Sequence, residues 1–412
     1  MNPGANSPRP YRRLRHLATR ADKHSKGGTS VSDANGPTAR FGIDNTAVVK
    51  VPVHHGPISD IDVSPDGRRL LVTNYGRDTV SVIDTHTCRV ASTIAGLSEP
   101  FAVAMSAADP NYAYVSTATA AYDAIEVIDV VTNWRIATHR LAHSLSDLAV
   151  SPDGRYLYAS RNAVRGADVA VLDTTTGELE VIELAAAAGT TTACVRVSAD
   201  GRRLFIGVNG PNGGGLAIIE TRTRTDGRRV GGRSRLVGTV ELGLPVRDVA
   251  LGNDGNTAYV ASCGPVVGSV LDVVDTRAAT IVSTHKINEI TGPLTRMTLS
   301  RDGERAYLIS DDRVTVLGTR TQDVLGEVRV TKHPSALVES PDGHYLYVAD
   351  HSGVLSVARL SSGTAPAAPC SGADEDDDAA HTARAGRQSR ARRTGSGPCG
   401  PLGVCHNRRI RA

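Results

Sequence analysis

Ten side chains of this 412-residue chain combine the types and the spacing that chemistry needs. Asp60, Asp147, Asp248 and Arg296 each stand four residues before a tight turn, and Arg247 stands one residue earlier in its own segment. His54, His55, His143, His333 and His351 fall in the connections that lead into or out of the same segments. Histidines titrate near neutral pH, so a cluster of them can ligate a transition metal or, once protonated, attract an anion. Two guanidiniums favour the anion, since their donors match an oxyanion in pairs. The competing reading is a polar lining for a water-filled space. Which of these holds depends on the elements that carry the ten residues.

Other chemistry-bearing patterns are missing from the sequence. It has no serine nucleophile elbow, no paired cysteine ligands and no His-Glu-x-x-His motif. Cys399 and Cys405-His406 lack both the spacing of haem attachment and the second pair of a zinc site. Cys88, Cys194 and Cys263 are far apart and read as small buried apolar residues of a reduced compartment. The run Gly-Pro-Asn-Gly-Gly-Gly at 210–215 precedes no Gly-Lys-Ser/Thr and no helix, so it reads as a loop between strands and not as a phosphate cradle.

The elements are set by a repeat. Val63-Ser-Pro-Asp-Gly-Arg-Arg-Leu-Leu-Val-Thr-Asn74 reads as a strand end, a turn and a second strand, and Val80–Asp84 reads as a third. Proline presets φ for the turn, the Asp side chain bonds backbone two residues on, and glycine accepts φ > 0. The turn returns at Asp153-Gly154, Asp200-Gly201, Asp254-Gly255, Asp302-Gly303 and Asp342-Gly343, with a worn copy at Asp109-Pro110. Four residues after the Gly or Pro stands Leu71, Tyr114, Tyr158, Phe205, Tyr259, Tyr307 or Tyr347. The third strand ends on an acid at Asp84, Asp129, Asp173, Glu220 and Asp275, and the acid is lost at Gly318 and Arg359.

Seven copies of about 40–45 residues, with four short strands each, have the spacing of propeller blades. The fold expected is therefore all-β: a seven-bladed β-propeller spanning 45–361, between disordered tails at 1–44 and 362–412. One blade cannot bury both faces of its sheet, so neighbours must stack into a ring. Thr46–Val53 matches the fourth strand that the seventh repeat lacks, so the N-terminal strand should complete the last blade. The lone Trp134 excludes the tryptophan–aspartate class of repeat. The pattern resembles the YVTN-type propeller repeat, carried here by Ser-Pro-Asp-Gly, Val72-Thr73-Asn74, Tyr259-Val260-Ala261-Ser262 and Val-Ile-Asp. That resemblance bears on fold far more than on activity.

Propeller topology puts the ten residues around one mouth of the central channel. Blades 7 and 1 are neighbours, so His54, His55, His333 and His351 are expected to approach one another. A non-enzymatic scaffold for a protein partner or small anionic ligand is the favoured reading, with no cofactor and no need for a second copy. A lactonase-like hydrolase is the alternative, for which Glu99, His143, Arg247 and Arg296 could be drafted. The net charge of +3 is concentrated in the tails around a mildly acidic body, which is no nucleic-acid footprint. Residues 222–235 insert six Arg and one Asp into the fourth repeat, either as a solvated loop or as a contact for an acidic partner. Arg12-Arg13 is followed by no apolar h-region, and no stretch of about 18 apolar residues occurs, so a cytoplasmic protein is expected.

Overall fold

The repeated turn is a closed hydrogen-bond circuit. In the first blade the Ser64 hydroxyl donates to Asp66 Oδ1 at 2.6 Å, which also accepts the Arg68 N–H, while Ser64 Oγ accepts the Arg69 N–H. The same three bonds form around Ser151-Asp153, Ser198-Asp200, Ser300-Asp302 and Ser340-Asp342. Where Gly252 replaces the serine, Thr257 Oγ1 donates to Asp254 at 2.7 Å instead. The acid that closes the third strand caps the next turn: Asp84, Asp129, Asp173 and Asp275 each accept N–H groups two or three residues on. Both recurrent acids are thus spent on local backbone, as Asp in turns commonly is.

The computed structural model describes residues 43–360, apart from 54–55, 143, 164–165, 186–188, 222–233 and 331–332. The two tails and nearly all of the Arg-rich insertion therefore lie outside the described residues. Seven four-stranded antiparallel sheets follow one another, each running from an inner to an outer strand. The seven inner strands are Ile58–Val63, Val103–Met105, Leu145–Val150, Thr191–Val197, Val246–Leu251, Leu294–Leu299 and Pro334–Glu339. Every regular element among the described residues is a strand, and among them no helix is long and apolar enough to cross a membrane.

The ring closes as the sequence requires. Strand Ile43–Pro52 pairs antiparallel with Val354–Leu360 and becomes the outer strand of blade 7, starting three residues earlier than the pattern suggests. Val51 and Val53 join Ile58, Ile61, Tyr345, Tyr347 and Val357 in the apolar seam between blades 7 and 1. The same aromatic position packs four of the other seams, with Tyr114, Tyr158, Phe205 and Tyr307 all buried.

Two expectations need correction. The glycines at 210–215 are not a loop: strands Arg203–Gly210 and Gly213–Glu220 run through them to a two-residue turn. A Cβ at Gly213 or Gly214 would strike the Gly243 or Leu244 carbonyl oxygen at 2.6 or 2.3 Å, so glycine lets blade 4 meet the lead-in to blade 5. Cys88 is disulfide-bonded, whereas Cys194 and Cys263 are free thiols. Cys88 is thus not the unpaired buried residue that its isolation in the sequence suggests.

Closure by one strand has a measurable consequence. A chain starting at His54 should melt far below one starting at Phe41, because only the former opens blade 7. Val51→Asp should mimic that loss, costing several kcal/mol by burying an unpaired charge in the seam. Matching thermal denaturation curves for the two truncations would contradict the closure.

Candidate functional site

Each blade but the second carries a register shift in its inner strand near the mouth, between Ile58 and Asp60, Leu145 and Asp147, Thr192 and Cys194, Val246 and Asp248, Leu294 and Arg296, and Pro334 and Ala336. A bulge re-aims the residue it adds. Ser59 and Ser146, which occupy it in blades 1 and 3, turn into the seams. Ser59 Oγ donates to the Pro100 and Phe101 carbonyls of blade 2, and Ser146 Oγ lies 2.6 Å from Thr192 Oγ1 of blade 4. Beyond the bulge, alternate side chains face the channel.

The structure brings Asp60, Asp147, Asp248 and Arg296 together, as the alignment predicts, and gives the acids a structural duty. An inner strand has a free edge, and its outward N–H groups need acceptors. Asp60 accepts the Val103 N–H of blade 2, Asp147 that of Val195 in blade 4, and Asp248 that of Met297 in blade 6, all within 3.1 Å. Two further channel residues escaped the sequence alignment. Asp62 accepts the Met105 N–H at 2.7 Å, and Arg196 bridges Asp147 and Asp248 at 2.6 Å each. Both lie two positions along the strand from an aligned residue, so reading the alternation one step further would have found them.

Arg296 is held less tightly, with its guanidinium 3.9 Å from Asp60. Burial opposes the charge on Arg196, but the Asp248 and Asp147 carboxylates outweigh it and raise its pKa well above the ordinary value. Asp60 is pushed up to about 6 and Asp62 to about 7, chiefly by burial, against which Arg296 and the Met105 N–H respectively pull down. Burial also pushes the Cys194 thiol up to about 12, which leaves it unreactive at neutral pH.

The mouth itself is only partly assembled from described residues. Arg247 sits on its bulge, exposed and without an ion pair among the described residues. His333 and His351 are exposed neighbours, joined by a bond from the His351 N–H to the His333 carbonyl at 3.1 Å. His54, His55 and His143 lie outside the described residues. Among those described, no three His, Cys, Asp or Glu side chains are grouped to hold a metal ion.

The raised carboxylates fix a sign for the pH dependence of stability. Folded Asp62 binds its proton more tightly than the unfolded chain does, so its penalty is absent below about pH 4, grows as pH rises, and is complete above about pH 7. Asp62→Asn keeps an acceptor for Met105 and removes the charge. It should therefore gain stability over the parent at pH 8, by a few kcal/mol at most, and gain much less at pH 5. An equal change in Tm at both pH values would contradict the assignment.

Comparison with known proteins agrees with this architecture. No family model matches the chain. A chain of Kuenenia stuttgartiensis hydrazine synthase superposes with a TM-score of 0.64 at 21% identity, covering 74% of this chain and 96% of that one, a likeness of fold alone. The seven-bladed beta-propeller protein Rv1057 of Mycobacterium tuberculosis (strain ATCC 25618 / H37Rv) is 56% identical over 336 residues, covering 77% of this chain and 85% of that protein. On that similarity, and on the seven closed blades, the chain belongs to the family of seven-bladed β-propeller proteins that includes Rv1057.

Proposed function

We propose that this propeller, with its YVTN-type repeat, is a non-catalytic scaffold that takes a protein partner or a small anion at the channel mouth. The observation that carries the reading is how the channel carboxylates are used. Asp147 and Asp248 each accept a neighbouring blade's N–H and an Arg196 donor, so neither is left to act as a base. A general base must have a free lone pair within reach of its proton. The exposed groups drafted for the mouth are basic: Arg247, His333 and His351.

The reading is tested with the full chain and an Arg247→Ala/His333→Ala/His351→Ala variant, all three side chains being exposed. Partner capture or anion binding should fall at least tenfold in the variant, while Tm stays unchanged. Saturable turnover of aldonolactones by the parent chain would contradict the scaffold and favour a hydrolase. Binding that survives all three substitutions would move the contact off the mouth.

A further inference from the structure

The seams between outer strands are not equivalent, and the seam of blades 4 and 5 differs from two of the others in a way that suits a ligand. At the seam of blades 1 and 2, the Ser92 hydroxyl of the outer strand donates to Asn133 Oδ1 at 2.7 Å. At the seam of blades 5 and 6, Gln322 Nε2 donates to Ser283 Oγ at 2.7 Å. These pairs lock each outer strand to the last turn of the next blade. At the seam of blades 4 and 5 the corresponding residues are Gly238, opposite Ile218 in the ladder, and Ala279, which holds the same left-handed backbone as Asn133 and Gln322. No lock can form there, and a groove of about 190 Å³ opens.

Its lining is basic. Arg203 and Arg277 face the groove with Glu220, Gly238, Thr276 and Ala279. Arg203 spends one donor on the Thr276 carbonyl, at 3.1 Å across the seam, and Arg277 is exposed with no ion pair among the described residues. The acids nearby are engaged: Glu220 takes a two-pronged bond from Arg235, and Asp275 accepts the N–H groups of Arg277 and Ala278. Thr276 adds a second departure from the repeat. Its counterparts Thr85, Thr174, Thr221 and Thr319 donate their hydroxyls to the carbonyl of the turn glycine. The Thr276 hydroxyl, buried to 3% exposure, has no partner.

We propose that this groove is a binding site for a phosphate-type oxyanion, held by the guanidiniums of Arg203 and Arg277 with Thr276 at its floor. Arginine presents paired donors in a plane that matches two oxygens of a phosphate, which a single lysine cannot do. The missing lock provides the space, and the two guanidiniums provide the sign. The site lies at the outer seam, apart from the channel mouth, and does not depend on what binds there.

The test titrates the full chain with inorganic phosphate, against chloride at matched ionic strength, and separately with a phosphoserine peptide. Calorimetry should show saturable phosphate binding that Arg277→Ala weakens about tenfold or more, the loss of a charge-assisted bond. Gly238→Ser with Ala279→Asn builds here the lock of the blade 1–2 seam. A Cβ on Gly238 meets only the Ala279 Cβ at 3.5 Å, and asparagine tolerates the backbone of Ala279. This pair should abolish binding while Tm holds or rises, which separates loss of the site from loss of the fold. Tighter binding of the peptide, with phosphate competing, assigns the site to a phosphorylated partner; binding of phosphate alone assigns it to the free anion. No saturable binding of either probe, or binding unchanged in both variants, overturns the proposal.

Discussion

The ring depends on one interaction: a carboxylate on an inner strand accepting an N–H from the free edge of the next. Propeller blades are antiparallel sheets whose innermost strand has no partner on the channel side, so a row of donors would stay unpaired in a narrow lumen. Asp60, Asp147 and Asp248 take three of these donors across the seams from blade 1 to 2, 3 to 4 and 5 to 6. A hydrogen bond to a charged acceptor contributes about 1.5–3 kcal/mol, more than a neutral one, and here it joins elements 40 or more residues apart in sequence. Arg196 then ties blades 3 and 5 to blade 4 through two of the same acids.

That arrangement carries its own cost. Four carboxylates and two guanidiniums share a partly desolvated space, and burial lifts Asp60 and Asp62 towards neutrality. The turn acids behave oppositely. Asp66, Asp200, Asp302 and Asp342 sit below their usual range, each drawn down by its serine hydroxyl and backbone N–H against a desolvation effect that pushes the other way. Their contribution fades as pH falls, whereas the channel acids weaken the fold as pH rises, so the two sets bound the stable range from opposite sides.

Most of the fold was legible because its landmarks are local. Ser-Pro-Asp-Gly sets a turn within four residues, Val-Ile-Asp ends a strand and caps the next turn, and their recurrence fixes the blade count. The closing strand was readable from what the seventh repeat lacks. The channel was readable in part: aligning on the turn serine placed Asp60, Asp147, Asp248 and Arg296 at one level. It missed Asp62 and Arg196, whose importance comes from a neighbour's free N–H or a neighbour's charge, neither of which a single repeat displays. The disulfide at Cys88 was hidden for the same reason, since pairing is a tertiary fact. The blade 4–5 groove follows from small residues, Gly238 and Ala279, whose meaning appears only beside the serine, asparagine and glutamine of the blade 1–2 and 5–6 seams.

Carboxylates in this channel hold neighbouring blades together. Native-state amide hydrogen exchange at Val103, Val195 and Met297 measures that use most directly, because these N–H groups have no strand partner and are protected only by a carboxylate of the preceding blade. The account predicts protection close to that of the sheet interior, with Asp248→Ala releasing Met297 selectively while Val103 stays slow. Exchange at the rate of an exposed loop in the parent chain would show that the carboxylates do not hold the ring, and the structural reading of the channel would fail.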